Sequence, residues 1–358
     1  MRMPHTLSQR KNSPATMKGV LTLFLVLLCS PAAWAQGVDP LCWVSALDDT
    51  IPVSRLSVPG AHDAATGEGV YMVTGLGKTQ ALSLSELWDC GVRAFDLRPA
   101  VDDGRLHIYH GPVKTRISFD EALDVICGKL DACPGEFAIV LLREESDSES
   151  VGEHAMWADA VGNAISALGE RAACFSPGMT VGELRGKILF LSRSSYSGCD
   201  RGAYITGWSH SAGGTESGSI VPYCGGSAAR LSVQDYYNVS GSGRRTLKDA
   251  AVVRFLSLAA VACEGCWTIN FLSGYSSTWL GFTPFATSAG YKRNAGHVNG
   301  LVLEILSSRT DAVPMGIIFM DYAGTDSACG GIFHWGRFRT HGKTLVQCII
   351  ESNSRRVH

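Results

Sequence analysis

Arg55-Leu56-Ser57-Val58-Pro59-Gly60-Ala61-His62-Asp63 is a short apolar run that passes through a proline and a glycine into a histidine and a carboxylate. Two further segments share this design: Gly91-Val92-Arg93-Ala94-Phe95-Asp96-Leu97-Arg98-Pro99 and Leu106-His107-Ile108-Tyr109-His110-Gly111-Pro112. Runs this short, bounded by Gly and Pro, read as strands. Working outward, candidate strands cover 56–59, 93–97, 106–109, 137–142, 187–191, 267–271 and 316–320. The stretches 83–90, 118–130, 150–168 and 246–262 read as helices with an apolar face. Ser118-Phe119-Asp120-Glu121 and Thr180-Val181-Gly182-Glu183 are capping-box starts, the second opening a short helix that ends near Gly186. Strands alternating with helices predict an α/β fold with a largely parallel sheet. Periodicity leaves its closure open, but 358 residues accommodate a single α/β barrel of roughly 250–300 residues. The interval 194–245, rich in Gly and Ser, is the least regular part and has room for long loops.

The composition narrows the function classes. A hydrophobic fraction of 46% supplies a sizeable core. A net charge of −2 argues against nucleic acid as an electrostatic partner, which would need a concentrated basic surface. Near the N-terminus Lys18 precedes an apolar run over 20–29, and Ser30-Pro31-Ala32-Ala33-Trp34-Ala35 closes in an A-x-A pattern. This is the pattern of a secretory signal, too short to span a bilayer. If Met17 is the true start, 1–16 is a polar extension. A signal over 1–35, a catalytic barrel over 36–348, a tail over 349–358 and a secreted, extracellular location are expected. Of the twelve cysteines, removing Cys29 with the signal leaves eleven. That abundance suggests disulfides, and the odd number leaves at least one unpaired within the chain. Cys263-Glu264-Gly265-Cys266 lacks a second pair at zinc spacing, which favours a disulfide or two separate partners. The C-terminal end carries no hydrophobic stretch, so a lipid anchor on this chain is not expected.

Side chains at the carboxyl ends of parallel strands converge on the ligand crevice. Asp96 and Arg98, two apart, would enter it from the same face. Two histidines oriented by carboxylates move protons near neutral pH, and an arginine offers a planar fork to phosphate oxygens. The chemistry suggested is general acid–base cleavage of an anionic substrate. Any one of these segments alone reads more simply as a turn histidine or an ion pair; three at successive strand ends do not.

The run Pro59-Gly60-Ala61-His62-Asp63, then Gln80 through Gly91-Val92-Arg93-Ala94-Phe95-Asp96-Leu97-Arg98, then His110-Gly111 resembles the catalytic X region of the bacterial-type phosphatidylinositol-specific phospholipase C family. Weaker matches follow in order: 134–145, 184–193, 233–237, 268–271 and 317–322, so the resemblance spans about 43–324. It implies a single (β/α)8 TIM-type barrel, regular or distorted. It also implies His62 as general base with Asp321 on its other ring nitrogen, and His110 as general acid oriented by Asp96. Arg98 would neutralise phosphate charge, with Asp63 as its neighbour. Arg143, Arg193, Asp235 and Tyr237 would contact inositol, the products being diacylglycerol and a cyclic inositol phosphate. Arg143 stands where the family often has lysine, and Ala64 where it often has serine.

Arg98 also bears on cofactors. Calcium-dependent relatives have a carboxylate at the matching place, whereas a guanidinium repels a cation, so no metal and no cofactor are expected. The expected partner is a phosphatidylinositol or glycosyl-phosphatidylinositol lipid at a membrane surface, with no nucleic acid and no obligate protein. A phosphodiesterase acting on another head group and a silent inositol-lipid-binding module are the competing classes; both histidines, both aspartates and Arg98 argue against silence. The aromatic-rich stretch 273–282 suits either a lipid interface or a buried loop. Asn238-Val239-Ser240 is a glycosylation sequon whose glycan would crowd Tyr237. His297, His334 and His341 read as surface or structural.

Overall fold

The computed structural model describes residues 38–71, 77–145, 151–208, 215–241, 243–280, 283–286, 288–309, 311, 313–329 and 338–354. The signal over 1–35 and His334 lie outside the described residues, as do Gly281 and Phe282 of the aromatic stretch. The strands relevant to the site are β1 (Ser57–Ala61), β2 (Ala94–Leu97), β3 (Pro99–Asp102), β4 (Arg105–His110), β5 (Val113–Ser118), β6 (Ala138–Leu142), β7 (Ile188–Ser192), β8 (Ala203–Thr206), β9 (Thr215–Pro222), β10 (Ala229–Gln234), β11 (Cys266–Phe271), β12 (Ser277–Leu280), β13 (Thr283–Ala286) and β14 (Gly316–Met320). The helices are α1 (Leu84–Asp89), α2 (Phe119–Ala132), α3 (Val151–Ala167), α4 (Val181–Leu184), α5 (Arg244–Ala260), α6 (Ser288–Ser307) and α7 (Gly342–Ser354). Among the described residues no helix is long and apolar enough to cross a membrane.

Nine strands close into a barrel in the order β1-β14-β11-β10-β9-β8-β7-β6-β2. Strands β1, β6, β7 and β14 are buried along their whole length. That is what a parallel sheet covered on both faces demands, and why they read as continuous apolar runs. A Cβ built on Gly60 would lie 2.8 Å from the Phe319 ring, so the barrel interior is filled at that level. At the amino-terminal end the buried Arg93 donates to Glu136 at 2.9 Å, and Glu136 also accepts from the Val44 and Ser45 amides. A disulfide joins Cys42 to Cys133 nearby, and a second joins Cys263 to Cys266. The capping boxes at Ser118 and Thr180 are present, and α1 has a third at Ser83.

Within the loop-rich interval 194–245 lie β8, β9 and β10, and β9 pairs antiparallel with both neighbours. This is the distortion of the barrel, and its Gly and Ser content hid the alternation. The run 106–110 is not a barrel strand. It belongs to β4 of a separate antiparallel sheet in the order β3-β4-β5. Asp103 (φ 50°) and Gly104 (φ 75°) form the tight turn between β3 and β4. An Asp-Gly pair is a hairpin signal, because both positions need the left-handed region. Finally, 349–354 is not a tail but the end of α7. Ile349 and Ile350 are buried there, and the Asn353 side chain bonds both the N–H and the C=O of Ser57 at 2.9 Å.

Candidate active site

The carboxyl ends of six barrel strands, the tip of the β4–β5 hairpin and Tyr291 of α6 surround one cavity of about 350 Å³. His62 follows β1, Arg98 follows β2, Arg143 and Glu145 follow β6, and Arg193 follows β7. Asp235 and Tyr237 follow β10, Ser273 follows β11 and Asp321 follows β14, while His110 is the last residue of β4.

The chain turns sharply behind each member of the His62–Asp321 pair. Asp63 has φ 43° and Tyr322 has φ 52°, left-handed conformations that non-glycine residues adopt rarely and that cluster at functional sites. Buried Gln80 holds the two strand ends together. Its Nε2 donates to the carbonyls of His62 (2.7 Å) and Met320 (2.9 Å), and its Oε1 accepts from Ala323 N at 3.0 Å. Nδ1 of His62 consequently lies 2.7 Å from Oδ1 of Asp321.

Asp63 occupies the centre. Its Oδ2 is 3.2 Å from Nε2 of His62 and 3.2 Å from Nε2 of His110, and its Oδ1 is 2.9 Å from Nε of Arg98. His110 is completed by the Gly77 carbonyl, 2.5 Å from its Nδ1. The carboxylate facing His110 is therefore Asp63 and not Asp96. Asp96 instead accepts from Arg98 Nη2 at 2.9 Å and from the Asp63 amide at 3.3 Å, supporting the arginine and the turn. Its place within β2, one residue short of the strand end, keeps it below the ring.

Electrostatics follow from this geometry. Burial pulls the His62 imidazole down, but Asp63 and Asp321 outweigh it and lift it to about 9. Burial pushes Asp63 up, yet Arg98, His110, His62 and Arg143 together hold it at about 2. Burial raises Asp321 against the pull of His62. Burial would lower Arg98, but Asp63, Asp96 and Glu145 hold it well above its ordinary value. Nη2 of Arg98 also lies 3.0 Å from Nε2 of His62.

The far side of the cavity carries the expected polyol contacts. Arg193 lies 4.0 Å from Asp235, with its guanidinium 3.8 Å above the Trp208 ring. Tyr237 stacks on Tyr275 at 5.9 Å. Seven of the ten expected site residues line the cavity, with Asp63, Asp96 and Asp321 buried behind them. The sequence reading missed Glu145, which accepts from the Gly111 amide at 2.7 Å and lies 3.6 Å from Nε of Arg143. The charged run Arg143-Glu144-Glu145 after an apolar strand was the available signal. It also missed Tyr291 of α6, 5.7 Å from the His110 ring, and buried Ser273, whose hydroxyl has no hydrogen-bond partner among the described residues. His297 pairs with Asp249 at 2.7 Å away from the cavity, and His341 has φ 57° just before α7.

No family model matches the sequence. Among curated proteins the chain is similar to the 1-phosphatidylinositol phosphodiesterase of Listeria monocytogenes, 38% identical over 109 residues. That alignment takes in 30% of this chain and 33% of the relative. It is also similar to the protein of the same name from Staphylococcus aureus, 24% identical over an alignment covering 94% of this chain and 99% of the relative. Among solved structures, the phosphatidylinositol-specific phospholipase C of Staphylococcus aureus superposes with a TM-score of 0.65 at 22% identity, covering 88% of this chain and 99% of that one. The Listeria monocytogenes enzyme superposes with a TM-score of 0.60, again at 22% identity, 88% and 99% coverage. At that identity the structural likeness speaks to the barrel.

Proposed function

As this chain belongs to the bacterial-type phosphatidylinositol-specific phospholipase C family, we propose that it cleaves phosphatidylinositol, or a glycosyl-phosphatidylinositol, to diacylglycerol and a cyclic inositol phosphate. The observation that carries this reading is Asp63, 3.2 Å from Nε2 of both His62 and His110 and ion-paired with Arg98 at 2.9 Å. Two proton-transfer groups and a guanidinium thereby face one cavity within the size range of small-ligand sites.

In the proposed reaction His62 Nε2 takes the proton of the inositol 2-hydroxyl while Asp321 holds Nδ1. The freed oxygen attacks phosphorus, and Arg98 meets the charge that builds on the non-bridging oxygens. His110 delivers a proton to the departing diacylglycerol oxygen, with Asp63 against its Nε2. Arg143, Arg193, Asp235 and Tyr237 receive the ring hydroxyls, since a polyol offers donors to the carboxylate and acceptors to the guanidiniums. With His62 at about 9, the free base is the minor form at neutral pH. The Arg98 N–H beside Nε2 favours that form, because it needs an acceptor there.

The reaction is read as metal-independent. His62, Asp63 and Asp96 offer three ligand atoms within 4.8 Å of one another, a cluster able to hold a cation. Arg98 already bonds both carboxylates and that ring nitrogen, so its charge takes the place a cation would fill. Secretion is part of the same proposal, supported by the signal-like residues 17–35 and the two disulfides.

The test is incubation of the mature protein with phosphatidylinositol vesicles in excess chelator, following diacylglycerol and cyclic inositol phosphate. Cleavage by wild type and loss in His62→Ala and His110→Ala are expected. A folded wild type that leaves phosphatidylinositol intact overturns the reading.

A further inference from the structure

The barrel seam between β7 and β8 shares only two register pairs, Leu191↔Ala203 and Ser192↔Tyr204, as few as the β1–β2 seam. Below those pairs the gap is filled by residues 172–174, far from the catalytic cavity. Ala173 N donates to Ile188 O of β7 at 2.9 Å, and Gly202 N donates to Ala173 O at 2.8 Å. Ala172 and Cys174 form isolated parallel bridges with Ile188 and Gly202. On the other side of Gly202, Tyr223 N donates to its carbonyl at 3.2 Å and brings Cys224 to the same level.

Cys174 and Cys224 are both exposed and neither is in a disulfide. Sγ of Cys224 lies 3.7 Å from the carbonyl of Phe175, the residue after Cys174, and the two cysteines line the same surface pocket. Arg201 Nη1 lies 3.3 Å from Sγ of Cys174, so a guanidinium sits directly beside that sulfur. Cys199 is half-buried and its sulfur is instead engaged by the Arg201 amide at 3.4 Å.

We infer that Cys174 and Cys224 are a disulfide site that staples the seam filler to the end of β9. The reaction is thiol–disulfide exchange. The Cys174 thiolate attacks a low-molecular-weight disulfide and releases one thiol; the Cys224 thiolate then displaces the second, forming the Cys174–Cys224 bond. Two protein thiols lose two protons and two electrons, and one external disulfide becomes two thiols. The closed loop holds β7, β8 and β9, the irregular third of the barrel, so the staple restricts the part with the fewest parallel pairings.

The test equilibrates the full mature protein with oxidised glutathione, alkylates it under denaturing non-reducing conditions and maps the peptides by mass spectrometry. A Cys174–Cys224 linked peptide is expected. Cys174→Ser, Cys224→Ser and the double variant should each lose the same Tm, roughly 5 °C, with no further loss on mild reduction. Cys199→Ser should keep the linked peptide and the wild-type Tm. Quantitative alkylation of both cysteines, linkage of either to Cys199, additive Tm losses in the double variant, or protection that a chelator abolishes would each overturn the inference.

Discussion

Oδ2 of Asp63 lies 3.2 Å from Nε2 of His110, while Asp96 bonds Arg98 and the Asp63 amide and comes no nearer than 4.0 Å to Nε2 of His62. One carboxylate thus couples both histidines to the arginine. Asp63→Asn should lower kcat by roughly 10²–10³-fold, the range expected for disabling acid–base groups. Asp96→Asn, which weakens only Arg98 and the turn, should cost less. Steady-state kinetics on phosphatidylinositol vesicles check this, and a larger loss in Asp96→Asn would reverse the assignment.

The lifted His62 predicts the acid limb of the pH profile. kcat/KM should climb with pH until about 9, as the ring loses its proton. Asp321→Asn removes one of the two carboxylates that raise His62, so the limb should move to lower pH while the maximum falls. Stability runs the other way. A histidine whose folded value exceeds its unfolded value of 6.5 contributes most below 6.5 and loses that contribution as pH rises through about 9. Chemical denaturation should therefore show the gap between wild type and His62→Gln shrinking from pH 6 to pH 9.5.

Lys248 of α5 is fully buried, its Nζ 2.5 Å from the Phe271 carbonyl, and burial lowers its amine to about 7 against the help of Asp235 and Asp321. The unfolded chain then binds more protons than the folded one between about 7 and 10.5. The cost of burying the ammonium is complete below 7 and disappears as pH rises towards 10.5. Relative to wild type, Lys248→Met should be most favourable at pH 6 and lose that advantage by pH 10, read by urea unfolding.

Gln80 donates to two carbonyls and accepts one amide, tying the end of β1 to that of β14. Gln80→Ala should cost about 3 kcal/mol of stability by leaving buried acceptors unpaired, and lower kcat with little change in KM. Gln80→Glu should be worse, since a carboxylate faces the same two carbonyls. Thermal unfolding and vesicle kinetics together distinguish this from a merely structural role, which would spare kcat once the variant is folded.

How far the site was legible depends on how local each feature is. His62, Asp63, Asp96 and Arg98 follow apolar runs whose strand character is set within a few residues, so their convergence could be expected from the chain itself. Capping boxes at Ser118 and Thr180 are equally local and could be read directly. Glu145 was signalled only by the charged run it closes after an apolar strand, and Tyr291 was not legible, because a tyrosine in a helix acquires meaning only from what packs opposite it.

By itself, then, the sequence determined the α/β class, the strand ends that carry titratable groups and the local starts of the helices, all consequences of periodicity and short-range backbone chemistry. Only the tertiary structure decided which carboxylate faces His110, because the Asp103-Gly104 turn folds β4 out of the barrel and swings its tip over the mouth. It alone decided that nine strands close with an antiparallel insertion, and that the end of α7 is core. The reason is physical: pairing partners and buried charge contacts lie tens to hundreds of residues apart, and their energies depend on distances that no local pattern encodes.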